Sequence, residues 1–156
     1  MQKKSINSGR TAKDEAMIFL RYRDHTALEI SNHLKQKEYN EKEIEECLEF
    51  LLDSHFIDDN RYCENYLRYA LTKGKGSLRL RQELLNKGLD DEVIRIHMEE
   101  ILDAEMEYSN AMKQVEKIVA GVKVDEKLIA KVGRRLSYLG YPTGLIYRIL
   151  NQLRGD

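Results

Sequence analysis

The chain has 156 residues, of which 42% are hydrophobic and 34% charged, with a formal net charge of -1. That length allows one or two ordinary domains or an array of small repeats, and no apolar run approaches the roughly 20 residues of a transmembrane helix. A single proline in a chain rich in Leu, Ile, Glu, Lys and Arg indicates an all-α protein.

The N-terminus and the cysteines both concern the compartment of the protein. Residues 1–11 carry positive charge without a following apolar segment, so we interpret them as a short disordered arm and not as a secretory signal. Cys47 and Cys63 fit neither a disulfide framework nor a Cys-x-x-Cys site. These features predict a reduced, cytoplasmic protein.

Three short helices are predicted in the first part of the chain. Apolar side chains recur at helical spacing from Ala12, and the pattern breaks after Arg23. Thr26 and Glu29 form a Thr-x-x-Glu capping box that opens a second helix, and Asn40 opens a third in a similar way.

The apolar positions of this unit recur at fixed offsets along the chain. A shift of 50 places Ile30 on Leu80, and a further shift of 52 places Leu80 on Val132. The match continues through the connection and the next helix, which a single amphipathic helix would not produce. We therefore predict an elongated, curved array of three tandem three-helix repeats, each helix-turn-helix-like in outline. The predicted repeats cover residues 12–57, 58–103 and 104–156.

Tight connections between helices require a left-handed residue, which glycine supplies without a Cβ penalty. Gly88 and Gly140 are placed to end the second helix of the later two repeats, and Glu38 stands at the equivalent place in the first. Gly74 and Gly76 form a further turn among lysines, whose backbone we expect to be able to approach a phosphate.

Charge is strongly segregated although the net charge is small. Residues 68–87 hold six basic side chains and one acid, whereas residues 40–60 hold eight acids and one lysine. Residues 90–107 are again acidic and residues 123–154 basic. A basic strip of this kind fits phosphates or an acidic protein surface. The alternative is that each acidic helix neutralises the basic helix beside it.

The candidate binding residues are basic side chains of the middle and last repeats, named here the basic strip. They are Arg68, Lys73, Lys75, Arg79, Arg81, Lys87, Arg134 and Arg135. Arg79 and Arg81 diverge by about 200° on a helix, so they cannot face one row of phosphates. Tyr62, Tyr66 and Tyr69 share one helix face, and we favour packing against neighbouring helices over a stacking platform for bases.

Nothing in the sequence indicates catalysis. No Ser-His-Asp or Cys-His grouping has supporting context, so we predict that the chain is not an enzyme. The four histidines form no His-x-x-x-His or HExxH pair, so we expect no metal site and no cofactor.

The middle repeat carries a specific pattern. Asp58-Asp59, Arg61-Tyr62 and Tyr66 precede the Gly-x-Gly turn, and the segments 80–84 (LRQEL) and 87–89 (KGL) follow it. This arrangement resembles the RecX family, the bacterial regulators of the recombinase RecA. The resemblance extends from Ala12 to Leu153. The chain departs from the usual family residues at Glu38, Cys63, Ser77 and Leu80.

The resemblance implies a small cytoplasmic protein of three tandem three-helix repeats that binds the RecA filament on single-stranded DNA. We also expect the protein to be a monomer. It implies inhibition of the ATPase, strand-exchange and coprotease activities of RecA, and so modulation of recombination, DNA repair and the SOS response. The basic strip would face the filament, with weak direct DNA binding possible.

Two further hypotheses stay open at this stage. One is a helix-turn-helix-like protein that binds duplex DNA, which the basic second helices favour. The helices expected at 40–54 and 90–102 are acidic, however, and phosphate would repel them. The other hypothesis is an α-solenoid scaffold for other proteins.

Overall fold

A computed structural model describes residues 9–155, which form nine α-helices and no strand. The helices are α1 (Ala12–Leu20), α2 (Ala27–Gln36), α3 (Glu41–Asp53), α4 (Asp59–Leu71), α5 (Ser77–Asn86), α6 (Asp91–Ile101), α7 (Ala104–Val119), α8 (Glu126–Leu139) and α9 (Thr143–Arg154). Residues 1–8 of the predicted arm lie outside the described part of the chain. Within that part, no helix is long and apolar enough to cross a membrane.

Side-chain caps set the first helix starts. The side chains of Thr11, Thr26 and Asn40 each accept a hydrogen bond from the backbone N–H three residues later. The acidic side chain at that later position in turn accepts a hydrogen bond from the backbone N–H of the capping residue. The capping boxes predicted at Thr26 and Asn40 are therefore confirmed. The break expected after Arg23 comes earlier, because α1 ends at Leu20.

Three separate apolar clusters hold the helices together, and each involves three consecutive helices. Their fully buried side chains include Ile30, Leu34 and Leu51 in the first, Leu80, Leu84 and Ile94 in the second, and Val132, Leu136 and Ile149 in the third. Burying a Leu or Ile side chain contributes about 1.5–3 kcal/mol, so each small cluster is a substantial source of stability. The chain is thus an array of three-helix units, as predicted, while the boundaries at 58 and 104 stay predictions.

The connection after the second helix is built alike in all three units. Glu38, Gly88 and Gly140 have left-handed φ angles of 66°, 86° and 89°. The next backbone N–H returns to a carbonyl five residues earlier. These bonds are Tyr39 to Leu34, Leu89 to Leu84 and Tyr141 to Leu136, at 3.1, 3.2 and 3.1 Å. This is the hydrogen bond of a Schellman turn, so the chain reverses tightly at the same place in each unit.

The joint between the first two units forms at the start of α2. The Thr26 hydroxyl donates to the Lys87 carbonyl oxygen at 2.6 Å, and Thr26 is completely buried. Leu28 lies against Gly88, where an added Cβ would come within 2.5 Å of the Leu28 Cβ. The first turn of α2 therefore packs on the glycine turn of the following unit.

The joint between the last two units repeats this arrangement at the start of α5. The Gly76 N–H donates to the Leu139 carbonyl oxygen at 2.8 Å, and the Leu78 N–H donates to the Gly140 carbonyl oxygen at 3.0 Å. In both joints the beginning of a second helix meets the left-handed turn of the next unit. The same kind of contact therefore joins the first unit to the second and the second unit to the third.

Candidate binding surface

The cations of the middle unit gather around one carboxylate, Glu83. The Lys75 Nζ lies 3.0 Å from both carboxylate oxygens, and the Arg79 Nε donates to Oε1 at 3.0 Å. The Tyr66 hydroxyl donates to Oε2. The three charged side chains are only 23–32% exposed, so salt screens these pairs less than it would at an open surface. Glu83 thereby offsets one of the two positive charges that Lys75 and Arg79 carry.

Lys87 extends this group toward the first unit. Its Nζ lies 5.9 Å from the ring centroid of Tyr62 and 5.6 Å from that of Tyr66. Burial alone would raise the pKa of Glu29 on α2, but the hydrogen bond from the Thr26 N–H and the charge of Lys87 hold this pKa below its ordinary value. Lys87 and Glu29 line opposite sides of an open groove between the first and second units.

Two other residues of the basic strip lie on different faces and have their own acids. The Arg68 Nη2 lies 3.0 Å from Glu64 one turn earlier in α4, and the Arg81 Nη2 lies 2.5 Å from Asp91 at the start of α6. These side chains are about half exposed, and such pairs contribute about 0–1 kcal/mol. They nevertheless reduce the positive charge that the middle unit presents to a ligand.

The structure therefore does not bring the eight residues of the basic strip into one continuous surface. In the middle unit, local acids partner most of its cations, as in the alternative hypothesis of neutralised helices. Arg134 and Arg135 lie on α8 and are exposed, and neither forms an ion pair within residues 9–155. Arg79 and Arg135 approach the same ring, that of Tyr138, at 5.2 and 5.5 Å.

The tyrosines of α4 divide between packing and exposure. Tyr62 is 7% exposed, and Tyr66 packs against the second cluster, as the packing interpretation expects. Tyr69 is 64% exposed, and the Lys73 Nζ lies 5.2 Å from its ring centroid. The three rings do not form a common open platform.

The glycine turn before α5 is covered by the third unit. Gly74 and Gly76 are buried, and the Tyr141 hydroxyl donates to the Gly74 carbonyl oxygen at 2.8 Å. Gly76 has a φ of -84°, so it is close packing on the Gly140 backbone that excludes a Cβ there. The expectation that this turn approaches a phosphate is wrong, because the third unit already occupies the adjacent space.

The buried thiols and the acidic side chains form no reactive group. Between residues 9 and 155, no three His, Cys, Asp or Glu side chains are grouped as metal ligands. Burial raises the pKa of Cys63 to about 11 and also raises the pKa of Cys47. Both thiols therefore stay protonated near neutral pH, which does not favour nucleophilic chemistry.

Two features of this surface were not found from the sequence. The sequence partly indicated that Glu83 contacts several cations, because Lys75, Arg79, Glu83 and Lys87 follow one another at intervals of four residues. No sequence pattern indicated the position of Tyr138, since its contact with Arg79 joins two different units. Only the packing of the units shows that these side chains meet.

These features define a class: an all-α protein of tandem three-helix units with charged faces. Family models agree with this class and make it specific. The model for the first three-helix domain of RecX matches residues 12–51, and that for the second matches residues 58–98. The chain belongs to the RecX family, which is a family of regulatory proteins and not a class of enzymes.

Individual relatives are similar over most of the chain. The regulatory protein RecX of Vibrio campbellii is 36% identical over 132 residues, which are 84% of each chain. That of Pseudomonas syringae pv. tomato is 31% identical over 144 residues, or 90% of each chain. The crystal structure of RecX from Lactobacillus salivarius superposes with a TM-score of 0.80 at 22% identity, covering 93% of this chain and 96% of that one.

Proposed function

We propose that this protein binds the RecA filament on single-stranded DNA and inhibits the ATPase, strand-exchange and coprotease activities of RecA. The observation that carries this proposal is the match of two RecX domain models across the first two units, together with relatives that are similar over most of the chain. A regulator of this filament would act in the cytoplasm and modulate recombination, DNA repair and the SOS response.

The proposed action requires binding and no catalysis. An array of three units presents contacts along its length, so it can engage neighbouring protomers of a filament at once. The groove between the first two units supplies Lys75 and Lys87 with Glu29 opposite, a mixed charge pattern suited to a polar protein surface. Binding of this kind would restrain the filament mechanically.

Duplex DNA is a less suitable ligand for the acidic helices α3 and α6, which follow the first two tight turns. In α6, Arg95 lies 2.7 Å from Glu92 and 3.1 Å from Glu99, so its charge is already paired. The other charged residues of that helix are acidic and would be repelled by phosphate. A helix of this composition does not fit the major groove as a recognition helix.

The DNA-dependent ATPase of RecA tests the proposal. We expect the rate of hydrolysis to fall as the protein approaches equimolar amounts with filament protomers. A Lys87→Glu variant should inhibit less, because it reverses a charge in the groove, whereas Lys42→Glu on the exposed surface of α3 makes the same change in net charge and should inhibit like the wild type. An unchanged rate with the wild-type protein would contradict the proposed function.

A further inference from the structure

One face of α8 carries cations that have no acidic partner. Lys127, Lys131, Arg134 and Arg135 are all exposed, and none forms an ion pair within the described residues. The basic side chains of α5 differ, because acids within α5 and at the start of α6 hold both of its arginines. Cations without an acidic partner are therefore more numerous on α8 than in the middle unit, where Lys73 and Lys87 are the ones that form no ion pair within the described residues.

The positions of these cations place them on the solvent side of the helix. Three of the cations and one exposed tyrosine follow one another at intervals of four, three and four residues, namely Lys127, Lys131, Arg134 and Tyr138. This spacing keeps the four side chains within about 60° around the helix axis. They extend over about 16 Å along the axis at 1.5 Å per residue. The opposite face of α8 is buried in the third cluster.

Two acids at the start of α8 have other partners. The Asp125 side chain accepts a hydrogen bond from the Leu128 N–H at 2.9 Å, where it caps α8. The Glu126 carboxylate lies 3.2 Å from the Nε of Arg154. Neither acid forms an ion pair with the four cations of this face.

An open aromatic ring lies at the C-terminal end of the same face. Tyr138 is 66% exposed, and the guanidinium carbons of Arg79 and Arg135 lie 5.2 and 5.5 Å from its ring centroid. The exposed ring offers stacking for a base, and Arg135, unlike Arg79, has no ion pair among the described residues and offers charge for the phosphate beside that base. Such a combination is typical of surfaces that bind single strands.

We propose that the α8 stripe, defined as Lys127, Lys131, Arg134, Arg135 and Tyr138, binds single-stranded nucleic acid. The cations contact successive phosphates, and one unpaired base stacks on Tyr138. A single strand fits better than a duplex, because the bases of a duplex are stacked on one another and do not offer a free face to the ring. The inference rests on the proposed function only in naming the DNA strand of the filament as the ligand.

Binding of a dye-labelled oligo-dT to the purified full chain, without RecA, tests the stripe by fluorescence anisotropy. We expect the double variant Lys131→Glu/Arg134→Glu to bind at least about tenfold more weakly, and the slope of log K against log salt to fall in magnitude by about 1.4. The control variant Lys35→Glu/Lys42→Glu makes the same change in net charge on exposed positions of the first unit. It should stay within about threefold of the wild type, because these positions lie far along the array from the stripe.

The ring is tested separately. Tyr138→Ala should weaken binding by about fivefold or more, whereas Tyr138→Phe keeps the stacking face and should bind like the wild type. Equal losses in these two variants would contradict stacking. A double variant that binds like the wild type, or a duplex that competes as well as the single strand, would overturn the proposal.

The ATPase assay with the same variants separates this inference from the proposed function. Stripe variants that bind the oligonucleotide normally but no longer inhibit RecA would show that the stripe contacts protein, which overturns the inference and leaves the proposed function standing. Stripe-dependent oligonucleotide binding by a wild-type protein that never inhibits RecA would support the inference and contradict the proposed function.

Discussion

The tight turns show why glycine is needed at two equivalent positions and not at the third. All three residues are left-handed, but only Gly88 and Gly140 lie under side chains of the preceding unit. A Cβ on Gly140 would collide with Arg79. Glu38 is exposed, and it bears only the backbone cost of a left-handed non-glycine residue, about 1–2 kcal/mol.

A matched pair of alanine substitutions separates these two costs. Gly88→Ala should lower the free energy of unfolding by the backbone cost and by a further 1–3 kcal/mol or so for the contact with Leu28. Gly121→Ala should show the backbone cost alone, because that glycine has a φ of 69° and an added Cβ would meet nothing within 4 Å. Urea denaturation at 25 °C measures both, and equal losses would contradict the packing at Gly88.

A histidine in the first unit links stability to pH. His25 is 4% exposed, its ring lies 3.7 Å from that of Phe19, and its Nε2 has no hydrogen-bond partner among the described residues. Burial, followed by the charge of Arg23, lowers the pKa of His25 from its ordinary value of 6.5. His25 is therefore protonated less readily in the folded protein than in the unfolded chain.

The sign of the effect follows from this lowered pKa. Between about pH 7.5 and 5.5 the unfolded chain binds more protons at His25, so the free energy of unfolding should fall as the pH falls. Glu29 stays ionised in this range, because its pKa is lowered from 4.5. The variant His25→Gln should show a smaller decrease. Urea denaturation measures the free energy of unfolding of both proteins at each pH. The same pH dependence in wild type and variant would contradict the role assigned to His25.

At the scale of the elements, hydrogen bonds to backbone carbonyl groups join the units at both joints. The second joint uses the N–H groups of Gly76 and Leu78 and the carbonyl oxygens of Leu139 and Gly140. Tyr141 adds a buried hydrogen bond from its hydroxyl to the Gly74 carbonyl oxygen. Burial, followed by the charge of Glu107, raises the pKa of Tyr141 to about 12, so the hydroxyl remains a donor.

The variant Tyr141→Phe tests this joint. It leaves the Gly74 carbonyl oxygen buried without the hydroxyl that serves it, which should lower the free energy of unfolding by about 1–3 kcal/mol. Tyr108→Phe is the control, because the Tyr108 hydroxyl donates to Gln152 at the exposed surface and its loss should cost less than about 0.5 kcal/mol. Similar losses in the two thermal or urea titrations would contradict a structural role for the joint.

The sequence predicted the elements because their causes are local. The apolar positions at offsets of 50 and 52 form the three clusters, and the capping residues begin the helices where the pattern requires. The candidate surface was harder to predict, because its pairing depends on distance in space. Arg81 meets Asp91 across the α5–α6 turn, and Arg79 meets Tyr138 across a joint between units. Such contacts have no periodicity in the chain.

At the scale of the whole molecule, charge is distributed differently from its order in the sequence. The middle unit is rich in cations, but Glu64, Glu83 and Asp91 hold most of them. The third unit keeps its cations free along α8. The middle unit therefore presents a mixed polar surface, and the third presents a positive one, which suits a ligand composed of both protein and DNA.

The central claim is that this ligand is the RecA filament itself, and direct binding tests it most simply. The protein, labelled at its N-terminus, would be titrated with filaments assembled on single-stranded DNA, with RecA free of DNA, and with the DNA alone. We predict saturable binding that is at least about tenfold tighter to the filament than to either component, because the contacts to both partners act together. Binding to the filament no tighter than to the bare DNA would contradict the account.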